Sequence, residues 1–183
     1  MNEQEKKHLE LLRDSSKTFP DVGDKSVFRT AKIWHCGYRS LQPISDMSNL
    51  EELVIGSLPD ASLELVGKMT RLRYLRIIHM PKISTLAALQ RLENLETLSL
   101  STLPSWDAAR KCTIVDSLLP ITNLPKLKQL ELFGVCPPGK SLSELLRCPQ
   151  LQSARFSQYP KDEVDGFYRS SGLPDTFAPE PSF

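Results

Sequence analysis

Little in this chain of 183 residues invites catalysis or a membrane. Glycine is scarce, at 8 residues, and nowhere gathers into a phosphate-cradling loop. His8, His35 and His79 are the only histidines, and none forms the helical pair with glutamate that binds zinc. No serine sits in a nucleophile elbow. The four cysteines, Cys36, Cys112, Cys136 and Cys148, are scattered singly along the chain. That spacing offers neither a metal-ligand pair nor a crowded disulfide framework, so free thiols and a cytoplasmic setting are expected. No apolar run approaches the ~18 residues that a membrane span needs. The charge-studded start, Met1 to Lys17, lacks a signal-peptide core. Charge of one sign is missing too. Lys and Arg number 23 against 22 Asp and Glu, for a net +1, with no basic cluster of the kind that nucleic acid or an acidic membrane requires. No membrane association, nucleic acid, metal or cofactor is therefore expected.

What the chain does have is a repeat. Six segments, beginning at Phe28, Leu50, Leu72, Leu95, Leu127 and Leu151, are apolar at their first, fourth and sixth positions. The starts follow one another at intervals of 22, 22, 23, 32 and 24. The approach to each repeats as well. Leu41, Leu63, Leu86, Leu118 and Leu142 stand nine positions ahead, followed at steps of three by Ile44, Val66, Leu89, Ile121 and Leu145, and then Met47, Met69, Leu92, Leu124 and Cys148. Alternation in the segment predicts a short strand with positions four and six inward. The stripe at every third position predicts a helix-like return that closes over it. One coil cannot bury its own stripe, so neighbours must stack.

Over residues 27–160 the pattern resembles the leucine-rich-repeat family. The resemblance implies an α/β solenoid: a short right-handed coil of about six repeats, with parallel strands on the concave face and helical segments on the convex face. Its usual asparagine at position nine is absent, since that column reads Cys36, Leu58, Met80, Leu103, Val135 and Tyr159. The fourth copy carries an insertion, residues 105–116. There Ala108, Cys112, Val115 and Leu119 share a helical face and predict a longer convex helix, the alternative being a protruding recognition element bearing Trp106. Residues 1–26 are read as an N-terminal cap, with a short helix from Gln4 to Arg13 using Leu9 and Leu12. Residues 161–183 are read as a C-terminal cap, with Val164, Phe167 and Tyr168 on one helical face, and a Pro-rich tail. That tail either docks its Leu173, Phe177 and Phe183 on the body or offers them to a partner.

Positions three, five and seven should face outward on the concave side. They place Lys32, Trp34, Tyr74, Arg76, Ile78, Glu131, Phe133 and Arg155 there. Aromatic anchors mixed with arginine are the composition of binding hot spots. The reading is a non-catalytic module recognising a protein partner, such as an inhibitor of the immunity-protein kind. A scaffold or regulatory subunit of an enzyme such as a phosphatase is the alternative. A small hydrolytic enzyme using Cys36 and His35 is remote, for want of a matched acid and base. Cys36 itself occupies a column that is otherwise apolar.

Overall fold

A computed structural model describes residues 7–183. Among these residues, seven strands form one parallel sheet in chain order. They are β1 (Lys7–Leu12), β2 (Phe28–Trp34), β3 (Glu52–Ile55), β4 (Tyr74–Ile78), β5 (Thr97–Ser101), β7 (Gln129–Phe133) and β9 (Ser153–Ser157). Two shorter strands, β6 (Thr113–Ile114) and β8 (Val135–Cys136), pair with each other beside it.

The register follows the repeat columns. Leu9, Ala31, Leu53, Leu75, Leu98, Leu130 and Ala154 stand in successive rungs, as do Leu11, Ile33, Ile55, Ile77, Leu100, Leu132 and Phe156. From Leu53 to Leu132 every member of both columns is buried. The return segments are one-turn helices, such as α1 (Glu64–Gly67) and α3 (Leu119–Thr122), or 3-10 turns such as Ala87–Arg91. A 3-10 turn brings every third side chain to the same side. That is why Leu86, Leu89 and Leu92, spaced by three, all lie fully buried.

The missing asparagine is replaced by the backbone itself. Beyond β1, β4, β5 and β7 the position-eight N–H of one coil reaches the position-seven carbonyl of the next. These bonds run from Arg13 to Trp34, His79 to Ser101, Thr102 to Phe133 and Gly134 to Ser157, at 2.8, 2.7, 2.8 and 3.4 Å. Position eight turns the chain through the left-handed region at Arg13, His35, His79, Gly134 and Gln158. Side chains rarely adopt that conformation. At Gly134 a methyl group would also lie 2.6 Å from Thr102 Oγ1, so glycine is needed there. On the other side of the coil, carboxylates tie neighbours together. Asp60, Glu144 and Glu163 accept from the backbone N–H groups of Leu41, Leu118 and Leu142.

Two expected helices take other forms. Residues 7–12 are a strand, and residues 4–6 of the expected N-terminal helix lie outside the described ones. The exposed edge of β2 presents unpaired N–H and C=O groups, and a strand satisfies them where a helix would not. Leu9 and Leu11 accordingly point inward at a spacing of two, each one repeat length ahead of its partner on β2. The insertion is likewise not a convex helix. It makes one turn, α2 (Pro104–Ala108), then stops at Arg110, which takes φ 55°, and continues through β6. Of the expected helical face, Val115 is buried while Ala108 and Leu119 are exposed. The segment lies beyond the ends of the strands. At the C-terminal end, α4 (Lys161–Ser171) covers the last coil. Its Phe167 stands edge-on to Phe156 at 5.1 Å, and Tyr168 Oη donates to Ala154 O at 2.7 Å.

Truncation in the middle of a column tests this packing. Leu75→Ala or Leu98→Ala leaves a void between coils and is expected to cost about 2–5 kcal/mol, read as a lower midpoint in urea unfolding. An unchanged midpoint would show that the columns do not carry the stack.

Candidate functional site: the strand face and the tail across it

Pleating sends positions three, five and seven of each strand to the outer face of the sheet. All eight residues expected there do lie on it, but the structure sorts them into two groups. Tyr74 and Glu131 are only 5% and 3% exposed, and the Arg76 and Arg155 side chains are 20% and 23% exposed. What covers them is the chain's own tail, residues 172–183. Of the two roles open to the tail, docking on the body is the one observed.

The tail leaves α4 at Gly172, which caps the helix in the left-handed region at φ 67°. It then crosses the strands one after another. Pro174 O accepts from Ala154 N–H at 3.4 Å. Asp175 binds Arg155 Nε at 2.7 Å, and Phe177 lays its ring 3.5 Å from the same guanidinium. Ala178 N–H donates to Glu131 Oε1 at 2.9 Å, on β7. Glu180 takes both terminal nitrogens of Arg76, at 2.9 and 3.4 Å, on β4. Ser182 N–H donates to Glu52 Oε2 at 2.7 Å, on β3, and Phe183 rests 4.4 Å from the His8 ring, on β1. Seven strands at a spacing of ~4.8 Å make a face about 29 Å across. From Asp175 to Phe183 an extended chain at ~3.3 Å per residue covers about 26 Å, enough to reach from β9 to β1.

The electrostatics beneath the tail are those of a built contact. Burial pushes the Tyr74 hydroxyl up to about 12, aided by Glu180, Glu131 and Glu52 and opposed by Arg76. Burial works against the Arg76 charge, but the Glu180 hydrogen bonds, Tyr74 and the nearby carboxylates outweigh it and raise its pKa. Glu131 also accepts from Ser99 Oγ at 2.7 Å, so both of its oxygens are used. Two buried atoms on this face, Tyr74 Oη and Arg155 Nη1, have no partner among the described residues.

The second group is left open. Trp34, Ile78 and Phe133 stand half-buried at position seven, in a row that the half-exposed Leu12 begins on β1. Gly56 leaves room for the indole, since a methyl group there would sit 3.2 Å from Trp34 Cδ2. With Leu103 and Pro104, which lead into the insertion, and Asp107 within it, the three line a groove of about 560 Å³. Asp107 braces that wall by accepting from Ser157 Oγ and Gln158 Nε2, both at 2.9 Å. Lys32 is held by Glu10 at 3.0 Å and lies 5.8 Å from the Trp34 ring. Expectation from sequence missed His8, Leu12 and the tail's route. The repeat period, carried one coil back from β2, would have found His8 and Leu12.

The remaining chemistry is sparse. Cys36 donates to the Leu11 and Trp34 carbonyls, while His35 Nδ1 meets Ser57 Oγ at 3.0 Å. Thiol and imidazole therefore serve different partners. Among the described residues no group of three His, Cys, Asp or Glu stands where it could hold a metal, and no helix is long and apolar enough to cross a membrane. His79 sits edge-on beneath Trp106 at 4.8 Å, with its Nδ1 buried and without a partner among the described residues.

No family model matches the chain, and no curated protein matches its sequence. Solved structures do match it. Internalin C2 of Listeria monocytogenes superposes with a TM-score of 0.53 at 15% identity, over 82% of this chain and 70% of that one. An internalin of the same bacterium, InlF, gives 0.57 at 13% identity, over 87% of this chain and half of that one. At such identities the likeness is one of fold, and the chain folds as a leucine-rich-repeat solenoid.

The half-buried His79 generates a pH dependence. Burial, then the charge of His35, lowers its pKa below the ordinary 6.5. On acidification the unfolded chain therefore takes up the proton first, and stability falls as pH drops from about 6.5 towards the depressed value. We expect the thermal midpoint to fall between pH 7 and 5, and His79→Gln to flatten that slope. The same slope in the variant would place the titrating group elsewhere.

Proposed function

We propose that the chain is a non-catalytic protein-binding module that engages a protein partner across its strand face. Trp34, Ile78 and Phe133 serve as apolar anchors with Lys32 beside them, while Tyr74, Arg76, Glu131 and Arg155, the rest of the set, lie under the tail. The observation that carries this reading is the open, half-exposed row at position seven, walled by an insertion that the other repeats lack. Large apolar side chains held rigidly at the rim of a groove are what hot spots are made of. The mixed sign of the neighbouring charges suits a polypeptide and disfavours a phosphate backbone. An inhibitor of the immunity-protein kind, covering a working surface of its partner, is the use we favour. A scaffold or a regulatory subunit would bind without suppressing its partner's activity, and an activity measurement on the complex separates them.

The test is affinity capture from the source organism followed by titration of the recovered partner. Trp34→Ala and Phe133→Ala are each expected to cost ~2 kcal/mol of binding, roughly a thirtyfold loss, while leaving the unfolding midpoint near that of the parent. Lys68→Ala and Gln90→Ala, exposed on the opposite side, should change affinity by less than ~0.5 kcal/mol. Full binding by both face variants would move recognition off this surface.

A further inference from the structure

We infer that the strip of face beneath the tail is a binding site for an extended, acidic, proline-containing segment of another protein, and that residues 174–183 occupy it as an internal stand-in. This rests on the reading of the strand face as a protein-binding surface and deepens it.

The contacts are of a kind that selects a polypeptide. Glu131 and Glu52 each accept a backbone N–H from the tail, which only a peptide backbone can supply in series. Alternating with these, Arg155 and Arg76 take carboxylates five positions apart along the occupant. A guanidinium fork is matched to a carboxylate in shape as well as charge. Pro179 and Pro181 favour an extended backbone, and neither residue is one whose N–H the face uses.

The tail is also an imperfect and displaceable occupant. The Glu180 and Asp175 side chains remain 76% and 59% exposed, and Phe177 is 75% exposed, so the tail buries little of itself. Exposed ion pairs of this sort hold weakly. Beneath it, the buried Tyr74 has an unpartnered hydroxyl, and Arg155 keeps an unpartnered Nη1, among the described residues. A buried donor without an acceptor is costly, and an occupant that carries one more acceptor would bind better. A segment in trans competes with a tail whose effective concentration is on the order of millimolar, so it needs this advantage.

The probe is a dye-labelled synthetic peptide with the sequence of residues 172–183, titrated by fluorescence anisotropy against full-length protein. Two variants release the internal tail by different routes. Asp175→Lys with Glu180→Lys reverses its charges, and Ala178→Pro with Ser182→Pro deletes its two N–H donors at unchanged charge. Thermal melts establish that at least one is folded. The peptide is expected to bind a released variant at least tenfold more tightly than the parent, and Arg76→Glu in the proline variant should abolish binding. Equal affinity for parent and released chains, or binding indifferent to Arg76→Glu, would overturn the inference. So would a concentration-dependent mass of the parent in light scattering, which would assign the site to the tail of a second copy. If the peptide fails while partner binding still depends on Trp34 and Phe133, this inference falls and the broader reading of the face stands.

Discussion

A parallel ladder demands that every coil return to the same height before the next strand begins. Alternate backbone N–H groups on β4 bond to carbonyls of β3 and the others to β5, and no strand can shift by one residue without turning Leu75 or Ile77 out of the core. The register of the strands, the spacing of the return stripe and the position-eight turn are three expressions of that one requirement. It also explains why coils of different length coexist. The fourth coil is longer, yet its surplus is extruded beyond the strands through α2 and β6, and β5 still meets β7 in register. The backbone bonds at position eight continue the ladder past the strand ends. Position nine is instead filled by buried apolar residues such as Leu58, Met80 and Val135.

Such a scaffold makes its outer face rigid by construction. Side chains at positions three, five and seven inherit the regular spacing of the strands, so charges on different repeats form a fixed lattice. The tail uses that lattice in two ways, pairing its carboxylates with arginines and its backbone with glutamates. The open row at position seven is different in kind, being apolar and bounded by the insertion. One face thus carries two adjoining surfaces, one polar and filled, the other apolar and free.

The core columns were legible in the sequence because they recur at fixed intervals, and recurrence survives a change of side chain, as where Phe156 stands in the column of Ile77. β1 was legible in principle, since Leu9 and Leu11 stand one repeat length ahead of Ala31 and Ile33. It was obscured because Leu9 and Leu12 also fit a helical spacing, and the unsatisfied edge of β2 decides between the two. The insertion misled for a related reason. Ala108, Cys112, Val115 and Leu119 fit a helical face, but Val115 is buried below a β-bridge instead. The outward residues were found by alternation alone. Their division into covered and open sets was not, because it depends on Glu180 meeting Arg76 from far along the chain. Proline content marks a segment as extended, but no local pattern says where it will lie.

Repeat proteins ordinarily grow and shrink by whole coils, since each coil touches only its neighbours. Here a segment outside the repeats spans them end to end, touching β9, β7, β4, β3 and β1 in turn. Duplicating a coil between β4 and β9 would move Arg155 and Arg76 apart by a strand spacing while Asp175 and Glu180 stayed five positions from each other. A deletion would bring them too close. The strap therefore measures the coils beneath it, and a change in their number would break the match between the two elements.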